Sequence, residues 1–211
     1  MTALRRHTLV RLSQAPETGN DTDRALGDRW QAAGRPFIVS RRRAEQDAVT
    51  LGFCVVDERY PELRPRRVAA RTDPHHVMDV ARPPRLDEIA RCPAARAYAA
   101  SFARLEKAAE RAGLDIRVYG SWMWQALTGE RHVRETSDLD LVVDVADGGA
   151  ADRVAAFLEQ EEAGLAFRLD GELSFAGLGE VHWREYRQGK AEVLLKSVDA
   201  LRLMPRAELG P

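Results

Sequence analysis

The residues that could do chemistry lie in two short clusters. Asp138 and Asp140 flank Leu139 in Ser137-Asp138-Leu139-Asp140-Leu141, and Gly120-Ser121 lies upstream in Val118-Tyr119-Gly120-Ser121. Side chains alternate along a strand, so the two aspartates share a face. Carboxylates that close raise each other's pKa unless a cation sits between them. A hard divalent cation such as Mg²⁺ suits the pair, because it takes carboxylate oxygens together with substrate phosphates. Gly120, lacking Cβ, lets a phosphate come close to the backbone. The Ser121 hydroxyl and the free N–H groups of a helix start can bind its oxygens. A phosphate cradle beside metal-binding aspartates is the apparatus of nucleotidyl transfer.

Those residues need a strand–turn–helix and a second strand to hold them. Ile116 to Tyr119 reads as a strand, Gly120-Ser121 as a turn with Ser121 capping a helix over Trp122 to Thr128, and Gly129 as its left-handed stop. Upstream, Ala94 to Ala112 is expected to be the longest helix, with Tyr98, Phe102, Leu105 and Ala109 as its buried stripe. Downstream, Gly149 to Glu162 reads as a helix. Residues 165–175 and 180–186 read as antiparallel strands, Glu192 to Lys196 as a final strand, and the tail as a short helix. The first 80 residues suggest a small α+β unit: a helix over Asp23 to Ala33 and strands at Pro36 to Ser40, 49–56 and Arg66 to Ala70, with a break at Pro61 to Pro65. The proline-containing stretch 81–93 reads as a linker with one helical piece at Leu86 to Arg91. The expected organisation is 1–80, linker 81–93, and a catalytic domain over 94–211.

Several side chains admit two readings. Arg41, Arg42 and Arg43 follow a strand and could grip phosphates, or form a solvated charge run. Lys196 ends a strand and could reach a triphosphate, or mark where the strand meets water. Trp122 and Trp124 point to different sides of one helix; one is expected in the core, the other against an adenine. His75-His76 reads as surface. The chain has 211 residues, 32 Lys+Arg against 33 Asp+Glu, and 45% hydrophobic residues. Such balance gives no basic field for nucleic acid. No run is apolar enough to span a membrane. Two cysteines, Cys54 and Cys92, make neither a disulfide framework nor a metal motif, and a cytoplasmic protein is expected.

Gly120-Ser121 followed by Ser137-Asp138-Leu139-Asp140-Leu141 resembles the signature of the nucleotidyltransferase superfamily related to DNA polymerase β. With Trp124-Gln125-Ala126-Leu127-Thr128-Gly129, Arg168-Leu169-Asp170-Gly171-Glu172-Leu173 and Trp183-Arg184-Glu185, the chain resembles the phosphoribosyl-dephospho-CoA transferases of malonate decarboxylase. Arg6-His7-x-Leu9-Val10 and Phe37-Ile38-Val39-x-Arg41-Arg42 fit the same family more loosely. The resemblance implies an α/β (α+β) fold: a polymerase β-like mixed sheet with helices, preceded by the small N-terminal unit, which would bind substrate or partner. It implies transfer of 2′-(5″-triphosphoribosyl)-3′-dephospho-CoA onto a serine of the malonate decarboxylase acyl carrier protein, with release of diphosphate. Mg²⁺ would be held by Asp138, Asp140 and a third carboxylate. Asp170 is favoured for that place, Glu172 is a second metal ligand candidate, and Glu185 a lesser one. Alternatively Asp170-Gly171 is a tight turn and Glu172 is solvated. Two other functions are an ATP-dependent adenylyltransferase and a catalytically inactive binding protein of this fold. Trp183-Arg184-Glu185 with Arg168 to Leu173 weighs against the first. The retained pair of repelling aspartates weighs against the second.

Overall fold

A computed structural model describes residues 4–42, 48–57 and 64–210. The N-terminal part builds a six-stranded antiparallel sheet from β1 (Leu9–Leu12), β2 (Glu17–Thr18), β3 (Phe37–Val39), β4 (Val49–Val55), β5 (Arg66–Thr72) and β6 (Val77–Ala81), in the order β2-β5-β4-β3-β1-β6. Helix α1 (Asp21–Ala32) starts where the Asn20 side chain accepts the Asp23 N–H. It buries Trp30 against Phe53, with ring centroids 5.1 Å apart.

The second sheet is mixed and also six-stranded. It follows α2 (Leu86–Ala90) and α3 (Ala99–Ala112), and comprises β7 (Ile116–Val118), β8 (Leu139–Val145), β9 (Leu169–Phe175), β10 (Gly179–His182), β11 (Glu192–Lys196) and β12 (Leu201–Pro205). Its strand order is β12-β11-β10-β9-β8-β7. Only β8 and β9 run parallel, joined through the crossover helix α5 (Gly148–Glu162); parallel neighbours require such a connection. Helix α4 (Gly120–Thr128) joins β7 to the loop before β8, and α6 (Trp183–Arg187) follows β10.

Each sheet has its own apolar core, and α4 belongs to both. Trp122 packs into the second core, edge-on to Phe102 at 5.1 Å. Met123 and Trp124 turn the other way, and Trp124 meets Trp30 edge-on at 5.5 Å. Both tryptophans are buried, so neither is left for an adenine. The stretch 81–93 does more than connect. Leu86 and Ile89 enter the second core, and the Pro84 carbonyl accepts the Val118 N–H at 2.9 Å, which covers the edge of β7.

Several boundaries differ from the sequence expectation. The helix expected from Ala94 opens as a 3-10 turn, Pro93–Tyr98, and becomes α-helical at Ala99, so the 15-residue α5 is longer than the 14-residue α3. Strand β9 begins only at Leu169, because Phe167 joins the Tyr98–Phe102–Trp122 ring cluster. The strand expected over 180–186 stops at His182, whose ring caps α6 by accepting the Arg184 N–H. The tail forms β12 and a 3-10 turn, Arg206–Glu208, in place of a helix. Arg43 and Pro61 lie outside the described residues. Among those described, no helix is long and apolar enough to cross a membrane.

Candidate active site

Strand β7 delivers the chain to Gly120 with φ 68°, a conformation that favours glycine. A Cβ there would collide with the Asp140 carboxylate, which lies directly on the Gly120 backbone and accepts the Ser121 N–H. Helix α4 begins at Gly120, two residues earlier than expected. Asp140, not the Ser121 hydroxyl, covers its N-terminus. The missing Cβ that the sequence offered to a phosphate admits a carboxylate of the same chain.

Asp140 stands opposite Asp170 in the parallel register of β8 and β9, at the spacing of neighbouring strands. Burial pushes the Asp140 carboxyl up to about 7. The Asp170 charge adds to this and Asp138 adds less, while the Ser121 N–H and the Arg67 charge pull it down. Asp138 lies just before β8. The structure thus brings Asp138, Asp140 and Asp170 together beside Gly120-Ser121. Two facing carboxylates of which one is driven toward neutrality suit a cation between them. Among the described residues no three His, Cys, Asp or Glu side chains close on one point as a ready metal centre.

Asp170 is held by a residue that the sequence did not single out. His182 Nε2 lies 2.8 Å from Asp170 Oδ1, and this hydrogen bond leads the causes that lower the Asp170 carboxyl below its usual range. The signal for His182 lay in the register: it stands on β10 opposite Glu172, and sequence alone gives no register.

Glu172 shares the Asp170 face, as alternation predicted, but its oxygens are taken. Oε2 meets Arg6 at 3.0 Å and His7 at 2.7 Å, and Oε1 meets Lys196 at 3.0 Å. Against the cost of burial, His7, Arg6 and Lys196 hold this carboxyl well below the usual carboxylate range. Glu172, a metal-ligand candidate from the sequence, is thus a carboxylate bound by Arg6, His7 and Lys196, and Lys196, expected on a triphosphate, is one of its partners. Glu185 accepts the Leu194 N–H at 2.6 Å and so holds β11. Arg42 is tied to the β11–β12 turn: its N–H donates to the Val198 carbonyl at 2.6 Å, and its Nε lies 3.4 Å from Asp199. Arg41 is exposed. His75 bonds Asp73 at the surface, and both cysteines are free thiols.

Tyr119 sits behind the carboxylates. It stacks on His7 at 4.0 Å, and His7 has φ 65°, the one positive value among the described non-glycine residues. Two grooves of about 370 Å³ open between the N-terminal unit and the second sheet, and neither is lined by Asp138, Asp140 or Asp170.

Residues 5–83 match the family model of the phosphoribosyl-dephospho-CoA transferase MdcG N-terminal domain, and residues 85–207 that of its C-terminal domain. A phosphoribosyl-dephospho-CoA transferase of Bradyrhizobium diazoefficiens is 39% identical over 84% of this chain and 77% of its own length. One from Xanthomonas axonopodis pv. citri is 35% identical over 98% of this chain and 96% of its own. No solved structure matches.

Proposed function

The chain belongs to the phosphoribosyl-dephospho-CoA transferase family, and from this we infer that it attaches the prosthetic group of malonate decarboxylase to the acyl carrier protein. The donor is 2′-(5″-triphosphoribosyl)-3′-dephospho-CoA. A serine hydroxyl of the carrier attacks the phosphorus next to the ribose, the bond to the departing diphosphate breaks, and the hydroxyl proton passes to a base. A phosphodiester remains. Such a donor and a soluble carrier would meet in the cytoplasm.

The observation that supports this chemistry best is the facing of Asp140 and Asp170 beside the N-terminus of α4. Asp138, Asp140 and Asp170 would hold a divalent cation such as Mg²⁺, which when bound offsets the charge of the carboxylates and of the phosphate oxygens. Gly120 and the Ser121 hydroxyl stand at the head of α4 and are assigned to the leaving phosphates, the Ser121 N–H being taken by Asp140. Asp170, kept ionised by His182, is the group to take the serine proton. In the N-terminal unit, Arg41 is exposed and is assigned to the CoA phosphates. Arg42, paired with Asp199, would keep that corner in place.

The test is to mix the protein with apo carrier, the triphosphoribosyl donor and Mg²⁺ and to weigh the carrier. A gain of one phosphoribosyl-dephospho-CoA unit is expected. EDTA should stop it and excess Mg²⁺ restore it. A carrier of unchanged mass, or one that gains an adenylyl group from ATP instead, would overturn the reading.

A further inference from the structure

We propose that His182 is the positioning residue of the transfer site: it holds the Asp170 carboxylate by one oxygen and leaves the other free for the reaction. The proposal rests on the assignment of Asp170 to that site. His182 ends β10, and its two ring nitrogens have different work. Nδ1 accepts the Arg184 N–H at 3.1 Å and so carries no proton. The neutral ring must then carry its proton on Nε2, which points at Asp170 Oδ1 from 2.8 Å. One backbone amide thereby sets the tautomer and the direction of the donor.

The next residue, Trp183, grips β9 at the two positions that flank Asp170. Trp183 is buried and donates its indole N–H to the Leu169 carbonyl at 3.1 Å. Its ring lies so close over Gly171 that a Cβ there would stand 2.8 Å from Cδ1. Arg184 adds a bond to the Leu169 carbonyl at 3.2 Å. The turn from β10 into α6 therefore clamps the backbone at 169 and 171 and the side chain at 170. Side chains one step from the reacting groups fix their direction in this way, and their loss costs catalysis more than binding.

Replacement by Asn separates the two roles. The Asn side-chain oxygen takes the place of Nδ1 and still caps α6, but no donor reaches Asp170. The expected result for H182N is an unchanged melting temperature, a kcat lower by about 10- to 100-fold, and an unchanged KM for the triphosphoribosyl donor. H182Q, whose amide can reach the Nε2 position, should recover most of the loss. If H182N melts early, H182Q compared with H182M, which keeps the length without the donor, asks the same question. D170N is measured alongside. An inactive D170N with an H182N of wild-type kcat sinks the role of His182 and leaves the site reading standing. A D170N of ordinary activity removes Asp170 itself from the site. An H182Q no better than an equally stable H182N also overturns the proposal, since a mere cap would lose nothing through the missing donor.

Discussion

Replacing Asp140 by Asn removes the charge that Asp170 opposes and keeps an oxygen for the Ser121 N–H. Transfer should vanish while the metal-free melting temperature at pH 8 stays level or rises, as repulsion is relieved. A fall of several degrees would make Asp140 a structural cap first. A second residue-scale prediction concerns His132, which is buried with neither ring nitrogen bonded. Burial leads the causes that lower its pKa to about 4. The unfolded chain takes up this proton near 6.5 and the folded chain does not until about 4. Stability from this residue is thus complete above 6.5 and is lost as pH falls from there to 4, by about 3 kcal/mol at most. Denaturant melts of wild type and H132F should diverge over that window, with the variant less acid-sensitive; parallel curves would refute it. The aspartates were legible because a strand's period of two puts Asp138 with Asp140 and Asp170 with Glu172. The roles of His132, His182 and Glu172 were not. His132 depends on its burial, His182 on the register that brings it to Asp170, and Glu172 on Arg6, across 166 positions.

Helix α4 shows what one element can be asked to do. It offers Trp122 to one core and Trp124 to the other, and its first residue accommodates the Asp140 carboxylate. Gly120→Ala therefore meets two obstacles, a left-handed φ and a collision with Asp140. It should destabilise by about 1–3 kcal/mol and abolish transfer, read by urea melts and carrier mass. Gly129→Ala, at φ 73° with nothing near its Cβ, is the control: a similar loss of stability is expected with transfer largely kept. The start and stop of α4 were nearly readable from Gly120 and Gly129. The end of β10 was not, because Glu-Val-His-Trp-Arg-Glu-Tyr alternates well enough for a strand. Only the His182 ring, by capping Arg184, turns it into a helix.

Across the whole molecule the two sheets are joined by charge as well as by α4. Arg6 reaches from the N-terminal unit to Glu172 on β9 and Glu180 on β10, each at 3.0 Å, with both acids buried. Removing one partner of a buried pair leaves the others uncompensated, so Arg6→Ala should cost about 3–5 kcal/mol. Its melting temperature should fall even at high salt, since buried pairs are weakly screened; a loss below 1 kcal/mol would show that the joint is carried by α4 alone. A small N-terminal α+β unit and a mixed sheet were visible in the order of apolar runs. The joint between them was not: Arg6-His7 read only as a loose family match, and Lys196 as a triphosphate ligand or a strand end meeting water, with no local sign that they meet Glu172.

The same joint has a consequence for the newborn chain. Arg6 and His7 leave the ribosome well before Glu172, Glu180 and Lys196 are made. The first unit can collapse early around Trp30 and Phe53, but Arg6 must wait, unpaired, for acids 166 and 174 positions later. Closing loops of that length is slow. Nascent chains halted before β9 should leave the segment around Arg6 open to protease, and chains extended past Lys196 should protect it. The protein would then become competent for transfer in a single step, when Arg6 takes hold of β9 and β10.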